Sequence, residues 1–241
     1  MQDSIEKWRH RRMTIIVGMV GVDGIVLAAD QRATRNAQRE DEFDDHMGIR
    51  KITHLEQHGV AYAGVGDDIT REAGKHLADA INTGTFRFAD IERSLERIVV
   101  EIVDTTHPCR FDNKENRSLT IGFHGNNVSE AQLWYAQIGP TPHYVYRILG
   151  AAVSGAIGNR ARFFDSYFRS NLSVERLIFL ASHIVLNASR FDPAMIEGLD
   201  VAIFGRDGLR LLDETQKDAL RGRSRELDNL IRQKILGVHY E

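Results

Sequence analysis

The feature that most constrains this chain is a hairpin near its start. Residues Thr14 to Thr34 read TIIVGMVGVDGIVLAADQRAT. Two apolar runs, Thr14–Val20 and Ile25–Asp30, have strand character, and Val22-Asp23-Gly24 supplies the turn between them. The polar groups are confined to its ends. A hydroxyl, Thr14, opens the first run behind Met13; Asp30 closes the second, with Arg32 and Thr34 just beyond. A hairpin this apolar, with a hydroxyl at one end and an acid–base pair at the other, invites a chemical reading as well as a structural one.

Two more strands, Lys51–Leu55 and Gly59–Ala63, follow a long polar segment, Arg35–Gly48, that has no apolar period and reads as a loop with an acidic middle. Gly64 and Gly66 then punctuate the chain. Asp67 or Asp68 caps a helix through Asn82, whose apolar positions Ile69, Ala73 and Leu77 recur at helical spacing. Phe88–Val103 is a second helix, lined by Ile91, Leu95, Ile98 and Ile102. Ser118–Phe123 and Ala131–Ile138 read as paired strands, and Tyr144–Ile148 as another. Gly155–Phe168 and Val174–Arg190 are predicted helices. Leu199–Phe204 and Leu209–Leu212 form a last hairpin, and Asp213–Ile235 a charged terminal helix. Two successive helices between hairpins disfavour parallel βαβ units. The order predicts an α+β fold: a four-layer α/β/β/α sandwich, two mainly antiparallel sheets between helix pairs.

The 241 residues, 42 % hydrophobic and 27 % charged, are those of one ordinary soluble domain. A net charge of −3 gives no general nucleic-acid or membrane footprint. The single cysteine, Cys109, excludes an internal disulfide framework and suits a cytoplasmic setting. No run approaches a membrane span, and MQDSIEKWRHRR has no apolar core of a secretory signal. The histidines show no metal-ligand spacing: His54 and His58 lie across a hairpin, and His107-Pro108-Cys109 stands alone in a polar loop. Gly64-x-Gly66 precedes a helix but completes no phosphate-binding fingerprint. No cofactor is expected.

A threonine is a poor nucleophile unless a base is close. An N-terminal threonine carries one, because its own α-amine has a pKa of about 7.7–8.0 and is partly neutral near pH 7. That chemistry requires loss of Met13. Thr14, Asp23-Gly24 and the block Ile25-Val26-Leu27-Ala28-Ala29-Asp30-Gln31-Arg32-Ala33-Thr34 resemble the opening of proteasome β-type subunits and their bacterial relatives, the N-terminal-nucleophile (Ntn) threonine peptidases. Arg50-Lys51-Ile52, Tyr62-Ala63-Gly64-Val65-Gly66, Val153-Ser154-Gly155 and Gly198-Leu199-Asp200-Val201 with Asp207-Gly208 extend the resemblance in order to about Leu212.

The resemblance implies roles. Thr14 Oγ attacks the scissile carbonyl and its amine serves as base. Lys51, held by Asp30, lowers the nucleophile's pKa. Gly64 N–H donates to the oxyanion. Ser154 and Asp192 support the amine, and Thr34 and Gly64 pair with an extended peptide. Arg32 reads as a structural ion-pair partner, and Tyr62, a departure from the family beside Gly64, is placed to narrow the pocket for the residue preceding the cut. It also implies a division into an extension or propeptide (1–13), the Ntn domain (14–212) and a charged helix (213–241). The implied setting is stacked rings of identical subunits degrading unfolded or peptide substrates delivered by a separate ATP-driven unfoldase. The departures are Met13 in place of a glycine, a longer link from Thr34 to Lys51, and Met195-Ile196 where the family has Ser-Gly after the acid at Asp192. Two alternatives stay open: a latent or structural ring subunit that keeps its N-terminus, and an Ntn amidohydrolase or acyl transferase with a small substrate.

Overall fold

The computed structural model describes residues 14–31, 33–34, 45–46, 50–111, 116–124, 130–139, 143–155, 167–191 and 196–236, with backbone alone at 33–34, 45–46 and 191. Twelve strands are described: β1 Ile15–Gly21, β2 Gly24–Ala29, β3 Ala33–Thr34, β4 Asp45–His46, β5 Ile52–Leu55, β6 Val60–Val65, β7 Ser118–Phe123, β8 Gln132–Gln137, β9 Val145–Ile148, β10 Ala151–Gly155, β11 Asp200–Gly205 and β12 Gly208–Leu211. The α-helices among the described residues are α1 Asp68–Asn82, α2 Ile91–Thr105, α3 Val174–Phe191 and α4 Glu214–Leu236.

The strands form two five-stranded sheets, ordered β10-β1-β2-β11-β12 and β5-β6-β7-β8-β9, and a small β3-β4 ribbon. Neighbours in all of them are antiparallel. Three apolar layers follow from strand alternation. Ile15, Val17, Val26 and Ala28 face Leu177, Ala181 and Val185 of α3. Ile16, Leu27 and Ala29 face the other way, against Ala61, Leu133 and Phe204 between the sheets. Tyr62 and Ile121 lie with Leu77 of α1 and Leu95 and Ile98 of α2. The hairpin is therefore covered on both faces, which is why its runs are almost unbroken by polar residues. Three cores make four layers, the α/β/β/α sandwich that the element order predicts.

Local chemistry accounts for the element ends. Asp67 caps α1, its Oδ1 accepting the Ile69 N–H at 3.0 Å. Asp23 does more than turn the hairpin: its Oδ1 accepts the Val174 N–H at 2.7 Å and so caps α3 across the sheet. The predicted hairpin at Lys51–Ala63 turns through Glu56–His58 and Gly59, which takes a left-handed φ of +63°.

The structure corrects three expectations. β6 runs through Gly64 to Val65, so Gly64 lies within a strand rather than ending one. Ala151–Gly155 is a strand, with Ile15 opposite Gly155 and Ile16 opposite Ser154. The predicted helix therefore does not begin at Gly155. Phe168 is also non-helical, while 156–166 lie outside the described residues. Within the predicted loop Arg35–Gly48, Asp45–His46 pairs with Ala33–Thr34. Among the described residues no helix is long and apolar enough to cross a membrane, and no group of three or more His, Cys, Asp or Glu could hold a metal.

Candidate active site

Thr14 sits at the mouth of β1, where β2 and β10 also end. Register brings its partners to it. Ile16 pairs with Ala29, so Asp30 falls beside Ile15. Asp30 N–H donates to Ile15 O at 3.3 Å, and Ile15 N–H donates to Asp30 Oδ1 at 3.0 Å. Asp30 is fully buried. Its other oxygen receives Lys51, which enters from the second sheet just before β5. Lys51 Nζ donates to Asp30 Oδ2 at 2.7 Å and to Thr14 Oγ1 at 2.8 Å. A buried carboxylate thus holds an ammonium against the threonine hydroxyl. Burial pushes the Lys51 amine below its usual 10.5, and Asp30, then Asp200, only partly oppose this.

The last ladder pair of β5 and β6 is Ile52 with Ala63, so one step further places Gly64 opposite Lys51. Gly64 has Leu119 of β7 as its partner on the other side. A Cβ at Gly64 would lie 2.7 Å from Thr70 Cγ2, so the site admits no side chain without a shift. The turn beyond it is anchored by Arg117, whose Nη2 donates to Asp67 Oδ2 at 2.8 Å while Nε donates to both oxygens at 3.0 Å. Gly155, at φ +115°, lies against the Thr14 carbonyl.

The other predicted residues divide. Ser154, 8 % exposed, is on the strand beside Thr14, opposite Ile16 and hence on the face turned to the second sheet. Thr34 lies in the β3–β4 ribbon, opposite Asp45. Tyr62 shares a strand face with Gly64, but its ring is sunk beneath α1 against Gly74, so it floors the strand rather than projecting as an open wall. Arg32 and Asp192 lie outside the described residues.

One residue group escaped sequence reasoning. Asp200, the first residue of β11 and paired with Ala29, accepts the Lys51 main-chain N–H on Oδ2 at 3.0 Å. Its Oδ1 accepts Gln31 Nε2 at 2.8 Å and Lys217 Nζ, from α4, at 3.3 Å. The signal for Asp200 was of the same kind as for Asp30, a lone acid at the end of an apolar strand. Lys217 carried none, being one charge among many on its helix.

The α/β/β/α sandwich is a fold already seen in solved structures. Anbu from Hyphomicrobium sp. strain MC1 superposes with a TM-score of 0.72 at 14 % identity, covering 94 % of this chain and 99 % of that one. A Gly-1 mutant of Anbu from the same strain gives 0.69 at 14 % identity, with 95 % and 99 % covered. In sequence, proteasome subunit beta 2 of Ignicoccus hospitalis is 24 % identical over 217 residues, 88 % of this chain and 94 % of the relative. No protein-family model matches the chain. The resemblance to proteasome β-type subunits read from the hairpin is thus met again in that sequence relative, and the sandwich fold in Anbu.

Proposed function

We propose that this chain is a threonine peptidase of the proteasome-like kind, with Thr14 as nucleophile once residues 1–13 are removed. The observation that carries the reading is Lys51 Nζ, held by Asp30 and donating to Thr14 Oγ1. Thr14 Oγ attacks the peptide carbonyl, and the freed α-amine takes the hydroxyl proton and returns it to the leaving amine. The Lys51 ammonium stabilises the oxygen as its negative charge grows. Gly64 N–H donates to the tetrahedral oxyanion, a contribution of about 3–4 kcal/mol where such donors have been removed. An extended peptide pairs with backbone at Gly64 and Thr34 in strand fashion. Ser154 and Asp192 support the amine, and Arg32 braces the acid end of the hairpin.

In this reading residues 14–212 are the hydrolase domain and 213–241 an appended charged helix. The subunits stack as rings in the cytoplasm around an enclosed chamber, fed with unfolded chains by an ATP-driven partner. A second reading is a latent ring subunit that keeps its N-terminus. While Met13 is attached, the Thr14 nitrogen is an amide with no basicity.

The test is a chain started at Met13, so that methionine removal leaves Thr14 first, with its mass checked intact. It is expected to cleave unfolded polypeptide, while Thr14→Ala assembles alike and does not. A chain with a free Thr14 amine that cleaves no peptide refutes the peptidase reading.

A further inference from the structure

Lys217 has no part in the chemistry above, yet it is buried, at 4 % exposed. It shares a stripe of α4 with Leu220 and Ser224, also buried, and this stripe lies on α3: Ser224 Oγ is 2.8 Å from His183 Nδ1. The terminal helix therefore packs on its own chain. Lys217 Nζ bonds Glu214 Oε1 at 2.8 Å and Asp200 Oδ1 at 3.3 Å. Glu214 is on the surface, and with one partner in water this pair stabilises little. Burying Lys217 against Asp200 carries a desolvation cost that an apolar pair would avoid. What the ionic pair adds is orientation. With Oδ1 engaged by Lys217 and Gln31, the Asp200 carboxylate has its Oδ2 aimed at the Lys51 main-chain N–H.

We infer that Asp200 and Lys217 are positioning residues for Lys51, so that α4 helps set where the Lys51 ammonium meets Thr14. The inference rests on the proposed roles of Thr14 and Lys51. Among the described residues, Asp30 at the end of β2 and Asp200 on β11 are the charges that act on Lys51, and Asp200 is itself bonded by Lys217 of α4, which also bonds Glu214. Asp200 favours the ammonium form of Lys51, and Lys217 offsets part of that charge. Loss of Lys217 therefore raises the pKa of Lys51, whereas loss of the Asp200 charge lowers it. Simple loosening of the site moves both variants the same way.

The experiment is competitive acetylation of amines by acetic anhydride across pH on the full chain, read at Lys51 by peptide mass. It requires no peptidase activity. Lys217→Met is expected to move the Lys51 midpoint up by about half a unit, Asp200→Asn to move it down by a similar amount, and Lys217→Arg to stay near the parent. In the chain that begins at Thr14, Lys217→Met is expected to lower kcat about tenfold with KM nearly unchanged. Folded variants whose midpoints stay put, or move together, overturn the inference; should Lys217→Met not fold, Asp200→Asn and Lys217→Arg decide it alone. Opposite shifts in a chain that cleaves nothing support the positioning role and refute the peptidase reading instead.

Discussion

Gly155 is the position where fold and proposed chemistry meet most closely. It ends β10 at φ +115°, a conformation that costs a residue with a Cβ about 1–2 kcal/mol. An added methyl would also overlap the Thr14 carbonyl oxygen. That carbonyl belongs to the Thr14–Ile15 peptide, whose N–H is held by buried Asp30 at 3.0 Å. The peptide cannot rotate away without giving up a charge-assisted hydrogen bond, a further loss of about 2 kcal/mol. Gly155→Ala should therefore lose about 3–4 kcal/mol. In a chain of this size that lowers the melting temperature by about 10 °C. Thr14 is the part that gives, because β10 is held by β1 along its length. A shift of about 1 Å between Thr14 Oγ and Lys51 should cost hydrolysis about a hundredfold. Thermal melts and peptide-hydrolysis rates of parent and variant, both beginning at Thr14, provide the assay. A variant that melts within about 2 °C of the parent and cleaves at its rate would show that Gly155 does not place Thr14.

Four further outcomes are expected. Lys51→Met should reduce hydrolysis at least a hundredfold or so while subunits still fold. Burial also holds Lys51 below 10.5, so in the interval from its lowered value up to 10.5 the unfolded chain binds the extra proton and stability rises with pH; urea midpoints of Lys51→Met should lack that rise. Asp23→Ala removes the α3 cap and should cost about 1 kcal/mol, or about 2–4 °C, with the hydrolysis rate kept. His183 is pushed down to about 4, first by burial and then by Arg190, so its ring signals should titrate near pH 4. Between 6.5 and about 4 the unfolded chain takes up the proton, and stability should fall as pH falls through that window. A midpoint near 6.5 would contradict this.

Much of the site was legible because its parts are short-range or patterned. Thr14 and Asp30 terminate one hairpin, and a hairpin's register follows from its own turn and apolar runs. Lys51 became legible through a family pattern rather than through any local force. β10 was not legible as a strand: Ala-Ala-Val-Ser-Gly has no hydrophobic alternation, and its ladder partner β1 lies more than a hundred residues earlier. The cap that Asp23 gives α3 spans a similar distance, so sequence showed only its turn role.

By itself the sequence determined the hairpins, the apolar faces of the helices and the sandwich they imply, since these depend on spacing and turn chemistry within a few residues. Tertiary structure alone decided which charges are buried. In sequence, Asp200 stands as a lone acid at the start of an apolar strand and Lys217 as one charge among many on its helix, and neither shows its partner. Only the closing of β11 on β2 and of α4 on α3 removes them from water, and removal from water is what turns a charge pair into a constraint on Lys51.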